Sequence, residues 1–446
     1  MSGRGGDAAA DRLAGFIHGS PTPWHAAEQA AVRLAAAGFE RLDPAGAWPS
    51  PLPERAVVVR DGSLVALFGW PGSTPAPMRI IGAHTDSPNL RVRPRPDTGR
   101  AGFRQLGVEV YGGALTNSWL DRDLTLAGRV AVADPSAPAG VATHLFHHRG
   151  PLLRVPQLAI HLDRDMTEVG LKLNRQQHLT PVWGLGEPHE GDFRDWLAGQ
   201  VGVAPADVLA WDAAAADTLA PARLGADGEL LAAPRLDNLC CCFGAVEALI
   251  SHSDAAHSNG AHAGATTAAA PAVVVLYDHE EVGSTSATGA VGAWLAQVLE
   301  RAAVAGGGDR GTLLAALAGS LLASADMAHG THPNYPERHE PSHWVRLGGG
   351  PVIKHNTNLR YATDSRSGAA FRLACAAAGV AVQDYSHRGD LPCGSTIGPL
   401  AAAGLAVDTV DVGMAQLSMH SIREIMATAD VEPMVGAFTA WLAAAR

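Results

Sequence analysis

Apolar and polar positions along the chain alternate between helical and extended patterns. The first segment reads as helices. Thr22 offers an N-cap, Pro23 suits the first helical position, and Gly38 closes an Ala-rich run just past a helix end. Ala56–Val59 and Leu64–Phe68 then flank Asp61-Gly62, a tight hairpin signal. Met78–Gly82 is a short apolar strand running into Ala83-His84-Thr85-Asp86. Further along, Leu236–Ile250, Val291–Val304 and Thr312–Ala323 are predicted helices. Ala272–Tyr277 is a buried strand by its valine run, and Val407–Val412 is another. Val431–Ala445 is an amphipathic helix with Val435, Phe438 and Leu442 on one face.

Between about Val92 and Ala233 the texture changes. Arg91, Arg93, Arg95, Arg100 and Arg104 are interspersed with Pro and Gly. Strand-like pieces follow at Leu124–Val132 and Leu158–Leu162, loops at Gln176–Asp195, and a nearly featureless run at Ala213–Ala216. Residues 92–233 therefore read as a β-rich domain inserted into a discontinuous domain, 1–91 and 234–446. Ser251–Ala270, rich in Ala, Ser, Gly and His, reads as an exposed loop. The expected class is α/β, with a mixed central sheet flanked by helices on both faces. Ligands in such sheets collect beyond strand ends, so the polar residues just past each apolar strand are the ones to inspect.

Composition narrows the function classes. At 446 residues the chain suits two or three domains. A formal net charge of −11 and 5% aromatic residues speak against a nucleic-acid binder. No apolar run of about 18 residues suggests a membrane span, and Met1–Ala14 lacks the apolar core of a secretory leader. Five cysteines, three of them consecutive, suit reduced thiols and a cytoplasmic setting better than a disulfide framework. The 20 histidines direct attention to metal ligation.

Candidate chemistry clusters where the pattern places strand and helix ends. Ile80–Ala83 delivers His84 and Asp86. Val273–Tyr277 delivers Asp278, His279, Glu280 and Glu281. Asp326 follows the predicted helix ending near Ala323, His420 follows the strand Val407–Val412, and Asp237 opens the helix Leu236–Ile250. Two histidines and three carboxylates suit Zn²⁺, Mn²⁺ or Co²⁺. One bridging carboxylate can serve two ions ~3.5–4 Å apart, which polarise a carbonyl and acidify water. Consecutive side chains of an extended segment point apart, so Glu281 can bind metal while Glu280 manages a proton. Asp86 can fix the second imidazole nitrogen of His84. Each residue alone has an ordinary reading: a satisfied histidine, a solvated glutamate pair, an N-cap. Only the joint pattern points to a site.

The stretches GAHTDSPNLRVRP (82–94), RLDNLC (235–240), DHEEVGS (278–284), SADMAHGTHPNYPERHEP (324–341), PCGSTIGP (392–399) and GMAQLSMHSIRE (413–424) resemble the aspartyl aminopeptidase family, whose members are cocatalytic dizinc peptidases. YGGALTNSWLDRDLTLAGRV (111–130) and RVPQLAIHLDRDM (154–166) extend the resemblance through the inserted segment. It implies His84, Asp237, Glu281, Asp326 and His420 as ligands of two zinc ions per subunit, with Asp237 bridging and Co²⁺ or Mn²⁺ as substitutes. It implies Glu280 as general base and Asp86 as orienting aspartate. Lys354, in VIKHN (352–356), matches a lysine that contacts an acidic substrate side chain. His161 matches a histidine inserted into a neighbouring subunit's active site. The implied activity is removal of an N-terminal residue, preferably Asp or Glu, from peptides. The implied assembly is a tetrahedral homo-dodecamer built from dimers through the insertion. A broad or neutral-residue aminopeptidase is the alternative, with a non-catalytic metal-binding assembly protein behind it.

Other signals are weaker. Cys240-Cys241-Cys242 reads as small buried hydrophobes on a helix rather than thiolate ligands. Gly394-Ser395-Thr396 lacks the strand–turn–helix setting of a serine nucleophile. His252, His257 and His262 read as solvated loop histidines, and His339 and His343 as loop residues between prolines.

Overall fold

The computed structural model describes residues 3–70, 72–260 and 270–444. Contacts divide the chain into two units. The first comprises 1–86, 221–419 and 424–446; the second comprises 87–220 and 420–423. These seams differ from the sequence-based ones at 91/92 and 233/234. The reason is pairing: Asn89–Arg100 is one strand of the second unit's sheet, while Leu230–Ala233 pairs antiparallel with Glu424–Ala427 in the first.

The first unit is built on a nine-stranded mixed sheet. Its strand order is Glu40–Leu42, Arg55–Arg60, Ser63–Phe68, Ala272–Tyr277, Arg79–His84, Leu321–Ala325, Asp408–Gly413, Val352–His355 and Gln383–Ser386. The four central members, Ala272–Tyr277, Arg79–His84, Leu321–Ala325 and Asp408–Gly413, run parallel. Strands buried on both faces read as continuous apolar runs, as these do. Alternation within each run separates two cores. Ile81, Val274, Ala323 and Val412 pack with Phe16, Phe243, Phe438 and Trp441 on one face. Ile80, Val273, Val275 and Leu322 pack with Trp294, Leu299 and Ile397 on the other. The α/β expectation with helices on both faces holds. A smaller five-stranded sheet, Ala222–Leu224, Leu230–Ala233, Glu424–Ala427, Ala415–Leu417 and Ala328–His329, completes this unit.

Several local expectations need correction. Thr312–Ala323 is not one helix: Arg310–Leu317 is helical and Leu321–Ala325 is a strand. Short apolar runs carry little information on helix against strand. Here Ser320 ends the helix by donating to the Ala316 carbonyl and accepting the Met78 N–H. Ser251–Gly260 continues the helix Leu236–Gly260 instead of forming a loop, and 261–269 lie outside the described residues, His262 among them. His252 is buried edge-on against Phe68, not solvated. The stretch Leu236–Ser258 is long and apolar enough to cross a membrane by length and composition, contrary to the sequence-based expectation. It is 67% buried, as a core helix should be.

The second unit holds a six-stranded antiparallel sheet ordered Val141–His147, Leu124–Ala133, Val208–Asp217, Asn89–Arg100, Phe103–Tyr111 and Val182–Leu185. The featureless run Ala213–Ala216 is in fact the buried second half of the strand Val208–Asp217. Alanine has low strand propensity, and pairing with Leu124–Ala133 overrides it. Gln176–Asp195 contains the strand Val182–Leu185 and opens the helix Asp192–Val201, whose Phe193 and Leu197 enter the core. Leu158–Leu162 is not extended; Ile160–Leu162 is a 3₁₀ turn.

Candidate metal centre

The carboxyl ends of the parallel strands carry the polar cluster, as the sheet topology requires. His84 is the last residue of its strand, and Asp326 follows Leu321–Ala325 directly. Asp237 sits at the start of the long helix but outside helical φ/ψ, and its peptide bond to Asn238 is cis. Its N–H donates to Glu424 Oε2 at 2.9 Å, and Asn238 Nδ2 donates to the Ala325 carbonyl at 2.8 Å. The first bond ties the helix entrance to the strand Glu424–Ala427, the second to the strand that precedes Asp326.

His84 Nε2 lies 3.4 Å from Asp237 Oδ1 and 3.5 Å from Asp326 Oδ1. Ligands about 2.0–2.1 Å from a tetrahedral zinc are separated from one another by roughly 3.3 Å. The spacing of this imidazole and two carboxylates therefore fits one divalent ion. On its other side, His84 Nδ1 donates to the Asp86 carbonyl at 3.1 Å, with Asp86 Oδ1 at 3.4 Å. That is the usual outer partner of a ligating histidine. Burial alone lowers the His84 imidazole pKa, but Asp237, Asp326 and Asp86 together hold it well above its ordinary value.

Glu280 and Glu281 are separated by a turn, not by extended alternation: Glu280–Val282 is a 3₁₀ segment entered through His279 at φ 67°. The Asp86 carboxylate accepts both of their backbone N–H groups, at 3.0 Å from Glu280 and 3.1 Å from Glu281. Asp86 thus sets the histidine and the glutamate turn together. A Glu281 carboxylate oxygen comes within 4.8 Å of one from Asp237. Burial pushes the Glu280 carboxyl up to about 7; His84 opposes this, while Asp326, Asp86 and Asp237 add to it.

Lys354 is buried in the strand Val352–His355. Its ammonium donates to the carbonyls of Asp326 at 2.9 Å and Met327 at 3.3 Å, lies 3.5 Å from Asp326 Oδ2, and faces the Tyr361 ring at 5.2 Å. The structure thus gathers His84, Asp86, Asp237, Glu280, Glu281, Asp326 and Lys354 in the first unit. His420 and His161 belong to the second. His420 has φ 67°, and its Nδ1 is 3.2 Å from the Gly113 carbonyl. His161 is exposed in the 3₁₀ turn Ile160–Leu162.

Supporting residues escaped the sequence reading. Thr85 Oγ1 donates to the Gly62 carbonyl at 2.6 Å and the Tyr277 carbonyl at 3.1 Å, joining the ends of two strands to the hairpin turn. Gly62 packs so closely on the Asp278 carboxylate that a Cβ there would overlap it. Gly413 likewise leaves room for the Asp326 carbonyl, which a Cβ would displace. Glu424 ends the quoted stretch 413–424 yet carries no spacing signal of its own. The three consecutive cysteines are core residues. Burial pushes the Cys242 thiol up to about 12, and its S–H donates to the His84 carbonyl at 2.9 Å.

The model of the family Aminopeptidase I zinc metalloprotease (M18) matches residues 16–442. A probable M18 family aminopeptidase 2 of Mycobacterium leprae is 48% identical over 438 residues, 98% of this chain and 99% of that protein. One of Streptomyces coelicolor is 46% identical over 434 residues, 97% of each chain. Among solved structures, Ape4 in a complex with Nbr1 superposes with TM-score 0.90 at 34% identity, covering 98% of this chain and 86% of that one. The S. cerevisiae mApe1 dodecamer gives 0.82 at 26%, covering 97% and 95%.

Proposed function

The chain belongs to the M18 family of zinc aminopeptidases, and from that premise we propose that it removes N-terminal Asp or Glu from peptides at a two-zinc site. The observation that carries the site is that His84 Nε2 lies 3.4 and 3.5 Å from the carboxylates of Asp237 and Asp326, with all three ligand atoms within 4.8 Å of one another. These three would hold one ion. Asp237 and Glu281, with His420 as the family resemblance assigns it, would hold the second. Nδ1 of His84 and of His420 each face a backbone carbonyl, leaving Nε2 as the donor to metal. Zinc bound there supplies Lewis-acid polarisation of the first peptide carbonyl and makes water acidic enough to attack near neutral pH.

The protein's own groups do the rest. Glu280, held by its N–H on Asp86, takes the proton of the attacking water and passes it to the leaving amine. Its raised pKa suits a group that must both accept and return a proton near neutrality. Lys354 donates to two main-chain carbonyls and shares its charge with Asp326 Oδ2 at 3.5 Å; as the family resemblance assigns it, the same ammonium would meet an acidic substrate side chain beside Tyr361. His161, exposed on the second unit, would complete a neighbouring subunit's site in a dodecamer like that of mApe1. The test is a panel of dipeptides with N-terminal Asp, Glu, Leu and Ala, run beside zinc analysis of the same sample. Asp and Glu are expected to lead by at least about tenfold in kcat/KM. Equal efficiency on Leu rejects the acidic reading in favour of a neutral-residue enzyme.

Removing zinc carries a pH signature. A His84 pKa held above the ordinary 6.5 adds stability that is complete below 6.5 and disappears as pH rises through the folded value. Glu280 acts with the same sign. Its pKa is raised from 4.5 to about 7, so the folded chain holds a proton that the unfolded chain releases, and stability falls as pH rises across that window. Chelator-treated protein is expected to melt at a lower temperature at about pH 8.5 than at about pH 6. Zinc-loaded protein, in which metal displaces the His84 proton, should lose that part of the slope and show a shallower dependence. Thermal scans of both forms check it; parallel slopes reject the arrangement.

A further inference from the structure

Asp411 is a fully buried carboxylate that the chemistry above does not use. It lies in the strand Asp408–Gly413, two residues before Gly413. Its Oδ1 accepts from Ser324 Oγ at 2.6 Å and Thr396 Oγ1 at 2.6 Å. Its Oδ2 accepts the Ala362 N–H at 2.5 Å, and its own N–H donates to Thr363 Oγ1 at 2.9 Å. A buried carboxylate is tolerated only when both oxygens are satisfied, and here they are.

The partners come from three separate segments. Ser324 is two residues before Asp326. Ala362 and Thr363 follow Tyr361, the ring beneath the Lys354 ammonium. Thr396 caps the helix Ile397–Leu405 and follows Cys393, which packs against the apolar cluster that contains Tyr361. Ser395 Oγ donates to the Arg360 carbonyl at 3.1 Å, stitching the last two segments together. Gly398 approaches so closely that a Cβ there would overlap the Asp411 carboxylate. One side chain thus fixes the Tyr361 and Cys393 segments relative to the strand that carries Asp326.

We propose that Asp411 is a positioning residue for substrate selection: it sets the wall formed by Tyr361 and Cys393 opposite Lys354, where the first side chain of the peptide is read. This rests on the Lys354 pocket assigned above. A purely structural aspartate would, when altered, weaken every substrate alike. A positioning residue changes KM for substrates whose side chain uses the wall and spares N-terminal Gly, which has no side chain to place.

The experiment uses full-length zinc-loaded enzyme. Asp411→Asn keeps the shape but turns an amide donor toward one of the three donors now facing Asp411. KM for the preferred N-terminal residue is expected to rise at least about tenfold, with kcat and zinc content near wild type and KM for N-terminal Gly within about twofold. Equal changes on Gly and on the preferred residue, or none on either, overturn the proposal. If Asp411→Asn does not fold, Thr396→Val, which deletes one donor, is read by the same ratio, and Thr396→Ser should restore it. Should wild-type enzyme show no acidic preference, that assignment fails alone; the comparison of Gly with any residue bearing a side chain still decides the role of Asp411.

Discussion

Glu280→Gln is expected to lower kcat by between about a hundred- and ten-thousand-fold while zinc content stays at the wild-type level. The amide is the same size and keeps the backbone N–H on Asp86, so the turn is preserved. What it cannot do is take a proton. Nothing in the His84–Asp237–Asp326 spacing depends on the Glu280 side chain, so metal loading should survive. Steady-state kinetics with metal analysis on one sample separates these outcomes. A kcat within about threefold of wild type would remove Glu280 from the reaction.

The second large effect concerns Asp237. Asp237→Asn removes charge from the carboxylate placed within 4.8 Å of ligand atoms on both His84 and Glu281. The two ions proposed above should suffer together, unlike a change at Asp326, which would border only the first. Zinc per chain is expected to drop to well below one after dialysis, with activity at background. Removing one partner from a buried charged cluster typically costs about 3–5 kcal/mol, a factor of some hundreds or more in affinity. A dialysed variant retaining two zinc ions would contradict the bridging role. The surrounding fold should persist, since the Asp237 main chain is held by Glu424 and Asn238 by the Ala325 carbonyl.

Sequence legibility followed the physics of each element. The strands Ala272–Tyr277 and Arg79–His84 are β-branched apolar runs ended by polar residues, so their position could be read directly. Leu321–Ala325 could not: five small and apolar residues after a helix fit either structure, and only pairing with neighbours far along the chain decides. Ala213–Ala216 hid for the same reason. The extended geometry expected for Glu280-Glu281 is replaced by a 3₁₀ turn; Asp86 makes that turn, which needs a contact across 194 residues. Asp411, Thr85 and Glu424 left no trace in spacing. Residues that act by holding others are set by tertiary contacts, which a linear pattern does not encode.

The strand order has a consequence for synthesis. Ser63–Phe68 and Arg79–His84 are near in sequence but do not pair; Ala272–Tyr277 lies between them. Until the ribosome has released that later segment, the emerging chain carries two apolar strands with facing edges unfilled, across the time needed to make the whole insertion. Such edges bind other chains as readily as their own missing member. Newly made protein should therefore depend on chaperone protection until the wedge arrives, and truncation before residue 272 should yield aggregates rather than a smaller folded form.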